Sequence, residues 1–152
     1  WMSLLVTEEQ KHDSSPDPHY PDAARGLVYE LFPKPGNPEQ LAQAVARPLL
    51  GSLTHEGIEV DDEGNIYVID EDDSGSIYRF VPDRFGDLAS GRLFVLRVAE
   101  GAQTGPAEWV ALQLDRKSLD ARSAARSKGA TSFCRPEDLE RIELAHFRGQ
   151  HE

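Results

Sequence analysis

The sequence predicts an all-β protein built from β-propeller blades, and two observations favour this class. The first is a near repeat: Gly26–Pro33 has the sequence GLVYELFP and Gly75–Pro82 has GSIYRFVP. HEGIE at His55–Glu59 and RPEDLE at Arg135–Glu140 share a glutamate that is followed two residues later by an aliphatic residue and then by a second glutamate. The second observation is a series of short apolar or alternating runs bounded by Gly, Pro and Asp. Such β units, repeating every ~40–50 residues, are typical of propeller blades, and the chain has material for about three.

The individual elements follow from these runs in chain order. Strands are predicted over Ser3–Glu9, Gly26–Phe32, Ile58–Val60, Ile66–Asp70, Ser76–Pro82, Gly91–Val98 and Ala107–Leu114. The third and fourth form a hairpin, with Gly64 in the connecting turn. Lys11–Ala24 is polar and proline-rich, which predicts a long surface loop.

Two stretches have a helical composition instead. NPEQLAQAVA at Asn37–Ala46 has Pro38 near its start, a residue that suits a first helical turn, so we expect a short helix there. LDARSAARS at Leu119–Ser127 is rich in Ala and Arg and predicts a second helix.

Composition limits the classes of function. The 152 residues carry 16 basic and 27 acidic side chains and a formal charge of −11, a surface that repels nucleic acid and anionic membranes. No apolar run approaches the ~20 residues that span a bilayer, so no integral membrane segment is expected. Cys134 is the one cysteine, which excludes an intrachain disulfide and a cysteine-based zinc site. We expect one domain over residues 1–146 and a tail over 147–152; the start at Trp1 predicts a trimmed, mature or partial chain.

The ordered motifs resemble those of the PhoX-type alkaline phosphatases, a family of metal-dependent six-bladed β-propellers. Thr54–Pro82 is similar to that family's block of His-Glu-Gly, Val-Asp, Glu-Asp and Tyr-Arg-Phe-x-Pro. Asp87–Val98, Glu108–Val110 and Gly129–Glu140 follow in the family's order, and Trp1–Glu9 resembles its Glu-Glu strand. The resemblance covers nearly the whole chain and implies a partial or short member of the family.

This resemblance implies hydrolysis of phosphomonoesters with calcium and iron held by carboxylates. It implies that Glu8, Glu56 and Glu137 are metal ligands, and that Arg135 binds and stabilises the phosphate as the catalytic arginine. The family's bridging cysteine falls at Thr7 in this chain, and a threonine hydroxyl is a poor substitute for a soft thiolate. Iron is therefore less well accommodated than calcium, which takes oxygen ligands.

The residues alone leave alternatives open. Each glutamate is equally expected as a solvated carboxylate, and Arg135 as a structural ion pair. Since Arg135 precedes Pro136, an extended backbone is expected there. His55 is expected to pack rather than to bind a ligand, and Asp70–Asp73 is either a solvated turn or a source of calcium oxygens.

Two broad functions follow from the resemblance. The first is a phosphatase acting on a phosphorylated small molecule; the alternative is a non-catalytic calcium-binding propeller fragment or scaffold. Self-association that completes the ring is a further expectation, because open blade edges invite pairing. An extracytoplasmic location is implied by the resemblance only.

Overall fold

Two antiparallel sheets make up most of the computed structural model, which describes residues 3–9, 11, 17–23, 26–99 and 104–141. The first sheet has three strands, in the order β1 (Leu4–Thr7), β2 (Val28–Lys34) and β3 (Asn37–Ala46). The second has five strands that also neighbour one another in chain order: β4 (His55–Val60), β5 (Ile66–Asp70), β6 (Ile77–Pro82), β7 (Gly91–Val98) and β8 (Ala107–Ala111). The predicted all-β class is confirmed.

The segment Asn37–Ala46 is a strand, so the helix predicted there is wrong. It pairs with β2 from Tyr29↔Ala46 to Lys34↔Asn37, with register shifts around Pro33. Gly36, with φ of 76°, allows the tight turn between the two strands. Pairing along a complete neighbouring strand outweighs the modest helix preference of Ala, Gln and Glu.

The second sheet agrees more closely with the sequence. The predicted hairpin is confirmed, with Val60 opposite Ile66 and Gly64 at φ 82° in the turn. The Asp61 side chain shapes that turn by accepting the backbone N–H groups of Glu63 and Asn65 at 3.0 and 2.8 Å. Strand β7 has the predicted bounds, β4 begins earlier than expected, and β8 ends earlier.

The helix predicted after β8 is present as α1 (Ala121–Ser127), two residues shorter than expected. Asp120 is its N-cap and accepts the backbone N–H of Ser123 at 3.1 Å. Ala121 and Ala125 are buried in the main hydrophobic core, which anchors the helix to the rest of the protein. Within the predicted surface loop, residues 17–23 form turns; its other residues apart from Lys11, and the predicted tail, lie outside the described residues.

Alternate residues of the central strands form the core. Tyr78 and Phe80 of β6 are buried between their β5 and β7 neighbours. The segment joining the sheets is buried too, with Leu50 and Leu53 fully covered around a short 3₁₀ turn over Pro48–Leu50. The Leu53 N–H donates to the Gly26 carbonyl at 3.0 Å and the His55 N–H to the Glu8 carbonyl at 3.4 Å. These contacts bring the end of β1 beside the start of β4.

Candidate metal centre

Three glutamates from different parts of the chain converge where the two sheets meet. Glu9 follows β1, Glu56 lies in β4 and Glu71 follows β5. One carboxylate oxygen from each lies within 4.8 Å of the others. We call Glu9, Glu56 and Glu71 the acidic cluster.

Strand register explains this convergence. His55 pairs with Asp70 across β4 and β5, so the next residues, Glu56 and Glu71, emerge at the same end of the hairpin. The Glu71 N–H donates to the Thr54 carbonyl at 2.8 Å, which continues the pairing beyond the strand. Glu9 reaches this point because the end of β1 contacts the start of β4.

The electrostatics of the acidic cluster favour a cation. The pKa of Glu56 is raised, first by desolvation and then by the carboxylates of Glu71 and Glu9, with further contributions from Asp138 and Glu137. Carboxylates that repel one another in this way are stabilised by a neutralising positive charge. Because all the donors are carboxylate oxygens, the set fits calcium, a hard cation that takes oxygen ligands.

Arg135 lies at the edge of the acidic cluster. Its guanidinium donates to the Glu71 carboxylate and lies 3.9 Å from a Glu137 oxygen, and more than half of the side chain is exposed. The arginine therefore forms an ion pair with a glutamate while keeping a face open to solvent. A guanidinium held in this way matches the geometry of a phosphate group.

The backbone of Arg135 differs from expectation. Its φ is +46°, in the left-handed region, so the extended conformation predicted from Pro136 is wrong. The Arg135 N–H donates to the Asp72 carbonyl at 2.9 Å, and the Phe133 N–H to the Gly75 carbonyl at 2.7 Å. These two bonds hold the loop that carries Arg135, and a left-handed backbone at a non-glycine residue is a feature often found at functional sites.

The other two predicted ligands lie outside the group of three. The Glu8 carboxylate accepts the backbone N–H groups of Gly26 and Leu27, each at 3.0 Å, and so holds the start of β2. Glu137 is well exposed beside Arg135 and acts on Glu56 through its charge. Thr7 pairs with Val28 in the first sheet.

His55 is fully buried next to the acidic cluster. Its Nε2 lies 3.3 Å from the Gly51 carbonyl oxygen, and burial lowers the pKa of the imidazole to about 4. The ring is therefore neutral at physiological pH. Its burial agrees with the packing role expected from the sequence.

The sequence did not point to Glu9, and it pointed to Glu71 only as one member of a run of four acidic residues. Glu9 stands beside Glu8, which the resemblance had favoured, and Glu71 lies within an acidic run that was expected to be a solvated turn or a source of calcium oxygens. The signal for Glu71 was its place directly after a buried strand that pairs with the strand containing Glu56.

Taken together, the fold and the site define a β-propeller-type protein, incomplete as a ring, with a carboxylate-rich site beside an exposed arginine. The family model described as alkaline phosphatase PhoX matches residues 19–150. The chain belongs to the alkaline phosphatase PhoX family, as its motifs predicted.

A solved structure supports the fold. The structure of Pseudomonas fluorescens PhoX in complex with vanadate, a transition state analogue, is similar to this chain with a TM-score of 0.61 and 23% sequence identity. The match covers 90% of this chain and 35% of the solved chain, so this chain spans about a third of that protein's length. No curated protein matches the chain. Within the part of the chain that the structure describes, no helix has the length and the apolar character that a membrane span requires.

Proposed function

We propose that the chain provides part of a metal-dependent site that hydrolyses phosphomonoesters. The observation that carries this proposal is the convergence of Glu9, Glu56 and Glu71 beside the exposed guanidinium of Arg135. Membership of the PhoX family supplies the class of reaction. The substrate is a phosphorylated small molecule, in keeping with the acidic surface, which disfavours nucleic acid.

In this proposal the acidic cluster binds calcium. The cation, when bound, supplies Lewis acidity toward phosphate oxygens. Glu56 is a ligand in this proposal because its carboxylate lies within 4.8 Å of those of Glu9 and Glu71, which also raise its pKa. Glu8 and Glu137, the remaining ligands implied by the resemblance, stay part of the proposal as neighbouring carboxylates. With Thr7 in place of the family's cysteine, iron is the less favoured metal.

Arg135 is proposed to bind the phosphate and to stabilise the negative charge that builds on it. Its contact with Glu71 orients the guanidinium, and its exposed face is free to donate to phosphate oxygens. Phosphoryl transfer depends largely on such positioning and charge stabilisation.

The test is elemental analysis of the purified chain, together with release of phosphate from an aryl phosphate with and without added calcium. We expect calcium-dependent turnover that Glu56→Gln abolishes and that Arg135→Ala lowers by about 10²-fold or more. Glu39→Gln, an exposed glutamate on β3, is the matched control and should leave turnover unchanged. Metal-dependent turnover that survives both Glu56→Gln and Glu71→Gln would exclude this site.

A second candidate is a calcium-binding propeller unit without turnover. Two observations favour it: the chain spans 35% of the solved PhoX chain, and Thr7 occupies the position of the family's cysteine. Calcium that raises the Tm without phosphate release would support this function. Self-association that completes a ring belongs to either proposal, and light scattering of the purified chain tests it.

A further inference from the structure

A mostly buried arginine on α1 contacts the residues on both sides of Glu71. Arg122 donates to the two carboxylate oxygens of Asp70, each at 2.6 Å, and its Nη1 lies 2.7 Å from an Asp72 oxygen. Asp70 is fully buried and the Arg122 side chain is only 15% exposed. The backbone that carries Glu71 is therefore fixed from both sides by one guanidinium.

The same guanidinium also contacts the residue directly before the strand that carries Glu56. Arg122 Nη2 donates to the hydroxyl of Thr54 at 2.9 Å, and the Thr54 N–H donates to Asp70 at 2.9 Å. The Thr54 carbonyl in turn accepts the N–H of Glu71. Two of the three carboxylates of the acidic cluster thus lie within two residues of an Arg122 contact.

Arg135 is connected to this arrangement through its backbone. Its N–H donates to the carbonyl of Asp72, the residue whose carboxylate Arg122 binds. Arg126, the next arginine on the same face of α1, is more exposed and comes no closer than 3.7 Å to Asp72. Within the described residues, Arg122 is the arginine that links Asp70, Asp72 and Thr54.

We infer that Arg122 is a positioning residue for the metal and phosphate site, because it holds the backbone that presents Glu71, Glu56 and Arg135 to one another. This inference rests on the proposed function. The planar guanidinium binds two carboxylates and a hydroxyl at once, which a lysine ammonium cannot reproduce. Partners that orient metal-binding groups typically contribute about 10–100-fold to metal affinity.

The experiment compares Arg122→Gln, Arg122→Lys and wild type in the full chain. Isothermal titration with calcium should show that Arg122→Gln binds calcium about 10–100-fold more weakly than wild type. Arg122→Lys should recover part of this calcium affinity, and it replaces Arg122→Gln as the test variant if the glutamine variant does not fold. NMR amide exchange without calcium should show the N–H groups of Glu71 and Arg135 exchanging roughly tenfold faster, relative to the core amide of Phe80.

Arg47→Gln is the matched control. Arg47 is 14% exposed and binds the buried Glu30 at 2.6 Å in the first sheet, so its loss removes a comparable ion pair away from the acidic cluster. We expect this variant to lower the Tm while leaving calcium affinity and the two amides at wild-type values.

Unchanged calcium affinity in both Arg122 variants would overturn the inference, and so would equal effects of the Arg122 and Arg47 variants. A wild-type chain that binds no calcium would instead refute the proposed metal site. In that case the amide exchange alone decides the role of Arg122, and unchanged exchange at Glu71 and Arg135 would overturn it.

Discussion

Replacing Glu56 by Gln should stabilise the protein without metal and destabilise it, relative to wild type, with calcium. The substitution keeps the shape of the side chain and removes one negative charge from the acidic cluster. Among the described residues, no salt bridge involves Glu56, and its neighbours Glu71 and Glu9 both raise its pKa. The charge at this position therefore opposes folding in the absence of a cation.

The magnitude follows from the geometry. Two unit charges 4.8 Å apart repel by about 0.9 kcal/mol in a water-like dielectric. Glu56 has two such neighbours, which gives an upper bound of about 1.7 kcal/mol; because Arg135 offsets part of the Glu71 charge and salt screens the rest, we expect about 1 kcal/mol or less in ordinary buffer. For a domain of this size, that gain corresponds to a rise in Tm of about 2–4 °C.

The assay is urea denaturation followed by circular dichroism, in EGTA and again in calcium. In calcium at about 100 times Kd, wild type should gain about 2.7 kcal/mol, and Glu56→Gln should gain much less. The order of stability then reverses between the two buffers. In 1 M salt without calcium the difference should shrink, because the screening length falls to about 3 Å.

The control is Glu39→Gln, the same substitution on the exposed part of β3, which should change stability by less than about 0.5 kcal/mol in either buffer. A Glu56→Gln variant less stable than wild type in EGTA would refute net charge repulsion at this position. A stabilisation that persisted unchanged in 1 M salt would also refute it, because its origin could not be charge repulsion.

Three further predictions concern the scaffold. Burial alone would raise the pKa of Asp120, but the Lys11 ammonium and local hydrogen bonds outweigh the effect of burial and lower this pKa to about 2. Asp120→Asn should therefore lower the free energy of unfolding by about 1–2 kcal/mol at pH 7. In urea denaturation at a series of pH values, this loss of stability should disappear as the pH falls from 3.8 toward 2. A loss of stability that does not depend on pH would contradict the ion pair. Phe80→Ala should lose about 3–5 kcal/mol in urea denaturation, because the ring is fully buried; a loss below 1 kcal/mol would be inconsistent with that burial. Gly75→Ala should lower the Tm sharply, because its Cβ would lie 1.7 Å from the Asp70 carbonyl oxygen, and a wild-type Tm would show that the loop relaxes freely.

Much of the fold could be predicted from local patterns. The hairpin around Gly64 and strand β7 follow from alternation and turn residues, which act over a few residues. Strand β3 could not be predicted in this way, because its residues favour a helix individually and become a strand by pairing with β2. Tertiary pairing decides such segments.

The site was only partly predictable for the same reason. Motif resemblance singled out Glu56 and Arg135, and the structure places Glu56 in the acidic cluster and Arg135 in contact with Glu71. Glu9 and Glu71 join it through strand register and the contact between sheets, neither of which is visible in a local pattern. The contacts of Arg122 with Asp70 and Asp72 could not be predicted either, because an Ala- and Arg-rich segment predicts a helix but not the partners of one guanidinium.

The way the strands follow one another has a consequence for folding. Each strand of the second sheet pairs with its neighbour in sequence, so short loops connect the paired strands. The contacts around the acidic cluster join residues that are much farther apart in sequence: Arg122 and Asp70 are 52 residues apart, and Arg135 and Glu71 are 64 residues apart. Short loops close at lower entropic cost. We therefore expect the hairpins to form early in the transition state and the site to assemble late, with φ-values near zero for substitutions at Arg122.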